Sequence, residues 1–199
     1  MMASAALAVG DEAGFREHEE QWRNVVDRHG LAWLAAAHGM EIAFVELWAG
    51  RGEAAERRLR EAQQFFTQIG NVWYMSVADE YLCEAVYAQD RPREFLRLAD
   101  AFAASSLMTD RHNLVKRQVM LARAHLLRGS AVEAEVSARR ALKLLESTDL
   151  VPDRVDALMV LADALDVRGM GDEAAAARDE AIAKLRAKGN LAAIAHLES

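Results

Sequence analysis

Few residues of this chain stand at spacings that could do chemistry. His38 and Glu41 lie three residues apart, which on a helix places an imidazole and a carboxylate on one face, as in a carboxylate-bridged metal site. A four-helix metal site would need this motif twice together with two further glutamates, and the sequence contains it once. A metal- or ligand-binding helical protein is therefore kept only as an alternative to the interpretation developed below.

Other reactive side chains lack the neighbours that catalysis requires. His112 and His125 fall on one predicted helix, but no serine or cysteine is placed to use them as a base. The single cysteine, Cys83, excludes a disulfide framework within one chain and is predicted to be a buried small residue. Three carboxylates of one helix favour a solvated face over an acid–base pair; they are Asp79, Glu80 and Glu84. We predict no enzymatic activity and no cofactor.

The charge balance excludes further classes of partner. The chain has 24 Lys and Arg against 31 Asp and Glu, a formal charge of −7, whereas nucleic acids and anionic membranes attract clustered basic residues. The sequence contains no phosphate-binding GxxxxGK[ST] stretch and no pair of Cys or His at zinc spacing. The long apolar segment 31–48 is interrupted by His38, Glu41 and Glu46, which argues against a membrane span. We expect a cytoplasmic protein.

Turn residues at a constant period define the elements that carry these side chains. One series runs through Gly10, Gly50, Asp90, Gly129 and Gly169, and a second through Gly30, Gly70, Asp110, Asp149 and Gly189. Each series advances in steps of 40, 40, 39 and 40 residues. Two interleaved series at one period predict stacked helical hairpins, with glycine at the left-handed position that ends each helix.

Small residues recur in the same register. The second helix of each predicted hairpin carries small residues seven apart, as at Ala55 and Ala62; the later pairs are Ala134 and Ala141, and Ala174 and Ala181. Such columns allow close approach where helices cross. Large residues replace them at Phe15, Trp22, Phe95 and Phe102, so we expect looser or shifted packing there.

These columns resemble the tetratricopeptide (TPR) pattern. A large–small pair in the first helix, a turn glycine and alanines seven apart in the second are its elements, best seen in residues 128–135 and 169–174. The resemblance implies an all-α, right-handed α-solenoid, and the period of about 40 rather than 34 residues implies longer helices. HEAT repeats share this period, but their proline-kinked first helix is not found.

The tail over residues 134–195 is also similar to the C-terminal repeats of large bacterial, often actinobacterial, regulators. These are adenylate/guanylate cyclases with a central ATPase domain and LuxR-type ATPase activators. That resemblance implies a sensing or docking arm whose catalytic parts lie elsewhere in a longer polypeptide. We accordingly expect this chain to be a fragment, with a partial hairpin over 1–29 and a terminal helix over 190–199 that lacks a partner. The complete hairpins are predicted over 31–69, 71–109, 111–148 and 151–188.

The resemblance places the binding groove on the first helix of each hairpin. The candidate groove residues are Met40, Phe44, Trp48, Tyr81, Glu84, Tyr87, Met120, Arg123 and Asp163. The stripe formed by Met40, Phe44 and Trp48 is either an apolar shelf for a protein or peptide or a packing surface for the preceding hairpin. Glu84, Arg123 and Asp163 share one column and are expected to pair along the groove rather than bind a charged ligand.

The partner predicted from this groove is a protein or peptide of unknown identity. A chaperone C-terminus is not expected, because its carboxylate clamp needs lysines and asparagines in these columns and only Lys116 fits. The leading hypothesis is a non-catalytic interaction scaffold within a larger signalling or transcriptional regulator. The alternative is a free-standing peptide-binding TPR protein. The sequence predicts no oligomeric state.

Overall fold

The computed structural model describes residues 2–104 and 111–197, and these form eleven α-helices. Their bounds are α1 Met2–Ala8, α2 Glu12–His29, α3 Ala32–Trp48, α4 Gly52–Gln68, α5 Val72–Ala88, α6 Pro92–Ala104, α7 Arg111–Leu127, α8 Ala131–Leu144, α9 Val151–Val167, α10 Gly171–Lys188 and α11 Leu191–Leu197. No strand occurs within these two ranges. The prediction of an all-α protein is confirmed; the predicted turn at Asp110 and the end of the hairpin over 71–109 lie outside the described residues.

The predicted turns end the helices as expected, with one exception. Seven turn glycines have φ between 63° and 80°, and Asp90 takes the same left-handed conformation at φ 52°. After α3 the N–H of Gly50 bonds to the carbonyl of Leu47, and that of Arg51 to Glu46, which completes the helix end. Asp149 does not repeat this geometry, since α8 has already ended at Leu144.

The helices gather into two compact units. Unit 1 comprises residues 1–91 and 189–199, and unit 2 comprises residues 92–188. The chain therefore leaves unit 1 after Arg91 and returns to it at Gly189. Unit 1 contains α1 to α5 and α11, and unit 2 contains α6 to α10.

The return of the chain corrects one expectation. The C-terminal helix was predicted to lack a partner, but α11 packs against α1 and α3 in unit 1. Ala193 and Ile194 are buried there, at 5% and 8% exposure. The imidazole of His196 lies over Gly50, so closely that a Cβ at position 50 would come within 2.5 Å of Nδ1. The 40-residue period could not predict this contact, because α11 packs on helices that lie more than 140 positions earlier in the chain.

The columns of small residues mark the tightest helix packing. Ala55, Ala134, Ala141, Ala174 and Ala181 are 0% exposed, and α4 and α8 pack along both of their sequence neighbours. By contrast, α2 meets α3 sparsely, and so does α6 with α7 in the described residues. These are the helices that carry phenylalanine or tryptophan in place of alanine. The expectation of looser or shifted packing is confirmed for α2 against α3.

Candidate functional site

The predicted groove of unit 1 contains three contacting aromatic rings. The ring of Phe44 lies 5.7 Å from that of Trp48, one turn further along α3, and 5.4 Å from that of Tyr81 on α5. All three side chains are half-buried. Offset and tilted rings at these distances attract one another and form a preorganised apolar surface. We call Phe44, Trp48 and Tyr81 the aromatic groove.

The remaining predicted groove residues of unit 1 differ in accessibility. Tyr87 and Glu84 are half-buried on α5. Met40 is only 4% exposed and belongs to the core, because α3 is packed by α1, α4, α5 and α11. The expectation that Met40 forms part of an accessible stripe is therefore corrected.

The predicted residues of unit 2 form no comparable surface. Met120 is 1% exposed and Arg123 9%, because α7 is packed by α6, α8 and α9. Asp163 is exposed, and its carboxylate lies 3.4 Å from Nη2 of Arg178 on α10, which also bonds to Asp166. The structure therefore shows Asp163 paired across its own hairpin, a contact that the groove column did not predict. Burial raises the pKa of Asp163, and the charges of Arg178 and of Arg123, its neighbour in the groove column, act in the opposite direction.

A buried ionic cluster also lies in unit 2. Lys116, at 2% exposure, places Nζ 2.6 Å from Asp156 and 3.6 Å from Asp153, and His112 lies 3.3 Å from Asp153. Burial alone would raise the pKa of Asp153, but the hydrogen bond with His112 and the charge of Lys116 outweigh it and lower that pKa. The cluster joins α7 to α9.

A cleft of about 420 Å³ opens between α2, α3 and α4 in unit 1. The wall formed by α3 carries four small residues, Ala32, Ala35, Ala36 and Gly39, together with His38. The α2 wall carries Glu19, Trp22, Arg23, Val26 and Asp27, and the α4 wall carries Arg58, Glu61, Ala62 and Phe65. We call this feature the Trp22 cleft. It combines apolar walls with charges of both signs.

Arg58 links two carboxylates at the base of the Trp22 cleft. Its Nη2 lies 2.6 Å from Oε2 of Glu19, and its Nε lies 3.2 Å from Oε2 of Glu46. His38 Nε2 lies 3.2 Å from the other oxygen of Glu19. Glu19 and Glu46 are 9% and 3% exposed. The three helices α2, α3 and α4 are thus joined by one hydrogen-bonded ionic network.

Burial affects the two carboxyl groups of this network differently. At Glu19 burial would raise the pKa, but the hydrogen bond with His38 and the charge of Arg58 outweigh it, and the pKa is lowered. At Glu46 burial outweighs Arg58, and the nearby charge of Glu19 adds to it, so the pKa is raised. The network therefore favours the ionised form of Glu19, which lines the cleft, more than that of Glu46.

Trp22 explains why the cleft exists. At the corresponding position of the repeat α4 and α8 carry Ala62 and Ala141, which are 1% and 0% exposed at helix crossings. The indole of Trp22 packs against His38, with ring centroids 4.8 Å apart. Its Nε1 is buried without a hydrogen-bond acceptor among the described residues. The bulky ring of Trp22, where α4, α8 and α10 carry alanine, separates α2 from α3. The sequence predicted looser packing here but did not predict a cleft.

An exposed aromatic patch lies at the start of α3 and α5. Trp33 and Trp73 are 39% and 62% exposed, and both contact Tyr74, with ring centroids 5.2 Å and 4.7 Å away. Phe66 stacks on Tyr74 at 4.6 Å and completes the cluster. The signal for this patch was present in the sequence, because both tryptophans stand three residues after a turn glycine and 40 residues apart.

The structure also bears on the metal alternative. His38 Nδ1 lies 3.7 Å from Glu41, and its Nε2 contacts Glu19. Within residues 2–104 and 111–197, no three His, Cys, Asp or Glu side chains come together as a group that could hold a metal ion. Cys83 is buried at 1% exposure, as predicted. None of the described helices is long and apolar enough to cross a membrane.

Comparison of the chain with protein-family models, with curated proteins and with solved structures yields no match.

Proposed function

We propose that this chain is a TPR-like, right-handed helical repeat scaffold that binds a protein or peptide without catalysing a reaction. Three features support the repeat type: turns at a period of about 40 residues, helices of 17 or 18 residues between most of them, and buried alanines in the same register. Units longer than the usual 34 residues fit helices of about five turns.

The aromatic groove is the observation that carries the binding proposal. Phe44, Trp48 and Tyr81 contact one another and keep part of their surface accessible. Preorganised aromatic side chains contribute most of the affinity at many protein interfaces, because they cover a large apolar area and lose little conformational entropy. A partner that lays an apolar side chain across the accessible edges of Phe44 and Tyr81 would use this surface best.

Peptide selection tests the proposal. Peptides selected from a random library on the immobilised full chain should share an apolar or aromatic residue. Trp48→Ala should weaken their binding by roughly thirtyfold, which corresponds to the 2 kcal/mol or more typical of tryptophan hot spots. Trp73→Ala is the matched control, because it removes an exposed tryptophan of α5 outside the groove. Equal affinity of the Trp48→Ala and unaltered chains would refute the groove.

We further propose that the scaffold serves as a cytoplasmic docking arm of a larger bacterial regulator. The similarity of residues 134–195 to the repeats of cyclase-linked and LuxR-type ATPase regulators is the basis of this proposal. Sequencing the genomic region upstream of the Met1 codon tests it. A cyclase, ATPase or DNA-binding segment in the same reading frame is the expected result, and an independent reading frame would favour a free-standing peptide-binding protein.

A further inference from the structure

The Trp22 cleft lies apart from the aromatic groove and has its own chemistry. It is a gap at a position that the repeat fills elsewhere, since Ala141 and Ala181 occupy the corresponding helix crossings and are both 0% exposed. The volume of about 420 Å³ falls within the range of small-molecule sites.

The cleft wall contains a glycine that the packing of the surrounding helices does not require. Gly39 is the one glycine of the described helices that stands beyond the first helical turn. A glycine in a helix interior costs roughly 0.5–1 kcal/mol relative to alanine. A Cβ built on Gly39 would meet no atom within 4 Å, so no neighbouring helix requires the glycine. At this one position the α3 wall of the cleft has no side chain.

The rim of the cleft carries charges that the described residues do not satisfy. Asp27 on α2, Glu61 on α4 and Arg23 on α2 are exposed and line the cleft. None of the three side chains has an ion pair or hydrogen bond within the described part of the chain. The two carboxylates stand on facing helices, on either side of the small-residue wall of α3.

The electrostatic balance of the cleft favours a cation. At its base Arg58 pairs with Glu19, the carboxylate that lines the cleft. On the rim Asp27 and Glu61 outnumber Arg23. The three carboxylates that line the cleft stand against two guanidinium groups and leave a local charge of −1, with the imidazole of His38 counted as neutral.

We propose that the Trp22 cleft binds a small organic cation, an alkyl amine or alkyl guanidine. The carboxylates of Asp27 and Glu61 would accept hydrogen bonds from its charged head, and its alkyl chain would lie along the small-residue wall of α3. Trp22 and Phe65 supply aromatic surface on the two opposite walls, where cations bind favourably.

Agmatine, which has an ammonium at one end and a guanidinium at the other, is the probe for this proposal. Its addition to the full chain should shift the indole N–H signal of Trp22 saturably in a heteronuclear NMR titration and leave the signal of Trp48 in place. Asp27→Asn combined with Glu61→Gln should weaken binding by roughly tenfold. Both side chains are exposed, so this pair of changes leaves the core intact.

A matched control separates the cleft from general attraction by an acidic protein. Glu20→Gln combined with Glu53→Gln removes the same number of charges from exposed positions of α2 and α4 that do not line the cleft. Agmatine affinity should stay within about twofold in this variant. The dianion glutarate should not shift Trp22.

Three results would overturn the proposal. The first is the absence of a saturable shift at Trp22, and the second is an equal loss of affinity in the two charge variants. The third is binding of a blocked Gly-Arg-Gly peptide without binding of agmatine, which would assign the cleft to a basic side chain of a protein partner.

Discussion

Substitution of Ala141 by leucine tests whether the alanine columns mark helix crossings. Ala141 is 0% exposed, and its helix α8 packs on both α7 and α9. Three added carbons would stabilise the fold by up to about 2.4 kcal/mol if empty apolar space received them, at about 0.8 kcal/mol each. In a filled crossing they force α8 away from its neighbours, which costs about 1–3 kcal/mol. The sign of the change therefore distinguishes the two situations.

The assay is denaturant unfolding of the full chain, with Ala176→Leu as the control. Ala176 lies on the exposed face of α10 in the same unit, so the same substitution changes neither packing nor helix propensity appreciably. We expect the midpoint of unfolding to fall for Ala141→Leu and to stay nearly constant for Ala176→Leu. A stability for Ala141→Leu equal to or above that of the unaltered chain would show that the register of the repeat is wrong.

Three further predictions concern other parts of the molecule. Gly39→Ala should raise the free energy of unfolding by roughly 0.4–1 kcal/mol, because the added methyl meets open space and restricts the unfolded chain. A lower free energy of unfolding for this variant in denaturant titrations would contradict the prediction. Ile194→Asp should release α11 from α1 and α3, and amide exchange of residues 191–197 should then be unprotected; unchanged protection would refute the docking of α11. Asp153→Asn should cost about 1.5–3 kcal/mol at neutral pH, because it removes a carboxylate from buried Lys116. Because the pKa of Asp153 is lowered in the folded chain, this carboxylate stabilises the fold above its ordinary pKa of 3.8, and the stabilisation disappears as the pH falls through the folded pKa. The free-energy cost of Asp153→Asn should therefore shrink in acid. A cost that stays constant between pH 2 and 6, within roughly the error of the unfolding curves, would contradict the role given to Asp153.

Much of the fold could be predicted from residues that act locally. A glycine such as Gly50 ends its helix because the left-handed conformation is a property of the turn itself. Ala62 and Ala141 could be assigned to helix crossings because a side chain's size decides how closely two helices approach. The same reasoning, applied to Trp22, predicted the loosened packing of α2.

Contacts between distant residues could not be predicted in this way. The docking of α11 on α1 and α3 depends on the path of the whole chain, which the period does not contain. The burial of Met40 and Met120 depends on how many helices surround α3 and α7. The spacing of residues along one helix does not predict how many neighbours that helix has. Arg58 could not be assigned to Glu19 and Glu46, because the three residues lie on different helices.

The four tryptophans allow one measurement to test the proposed binding surface directly. Trp48 reports on the aromatic groove, Trp22 on the cleft, and Trp33 and Trp73 on the exposed patch. The measurement is a titration of the full chain with a library-selected peptide, followed through the four indole N–H signals. We expect the signal of Trp48 to shift saturably while the other three stay in place. Shifts at Trp33 and Trp73 with an unchanged Trp48 would contradict it.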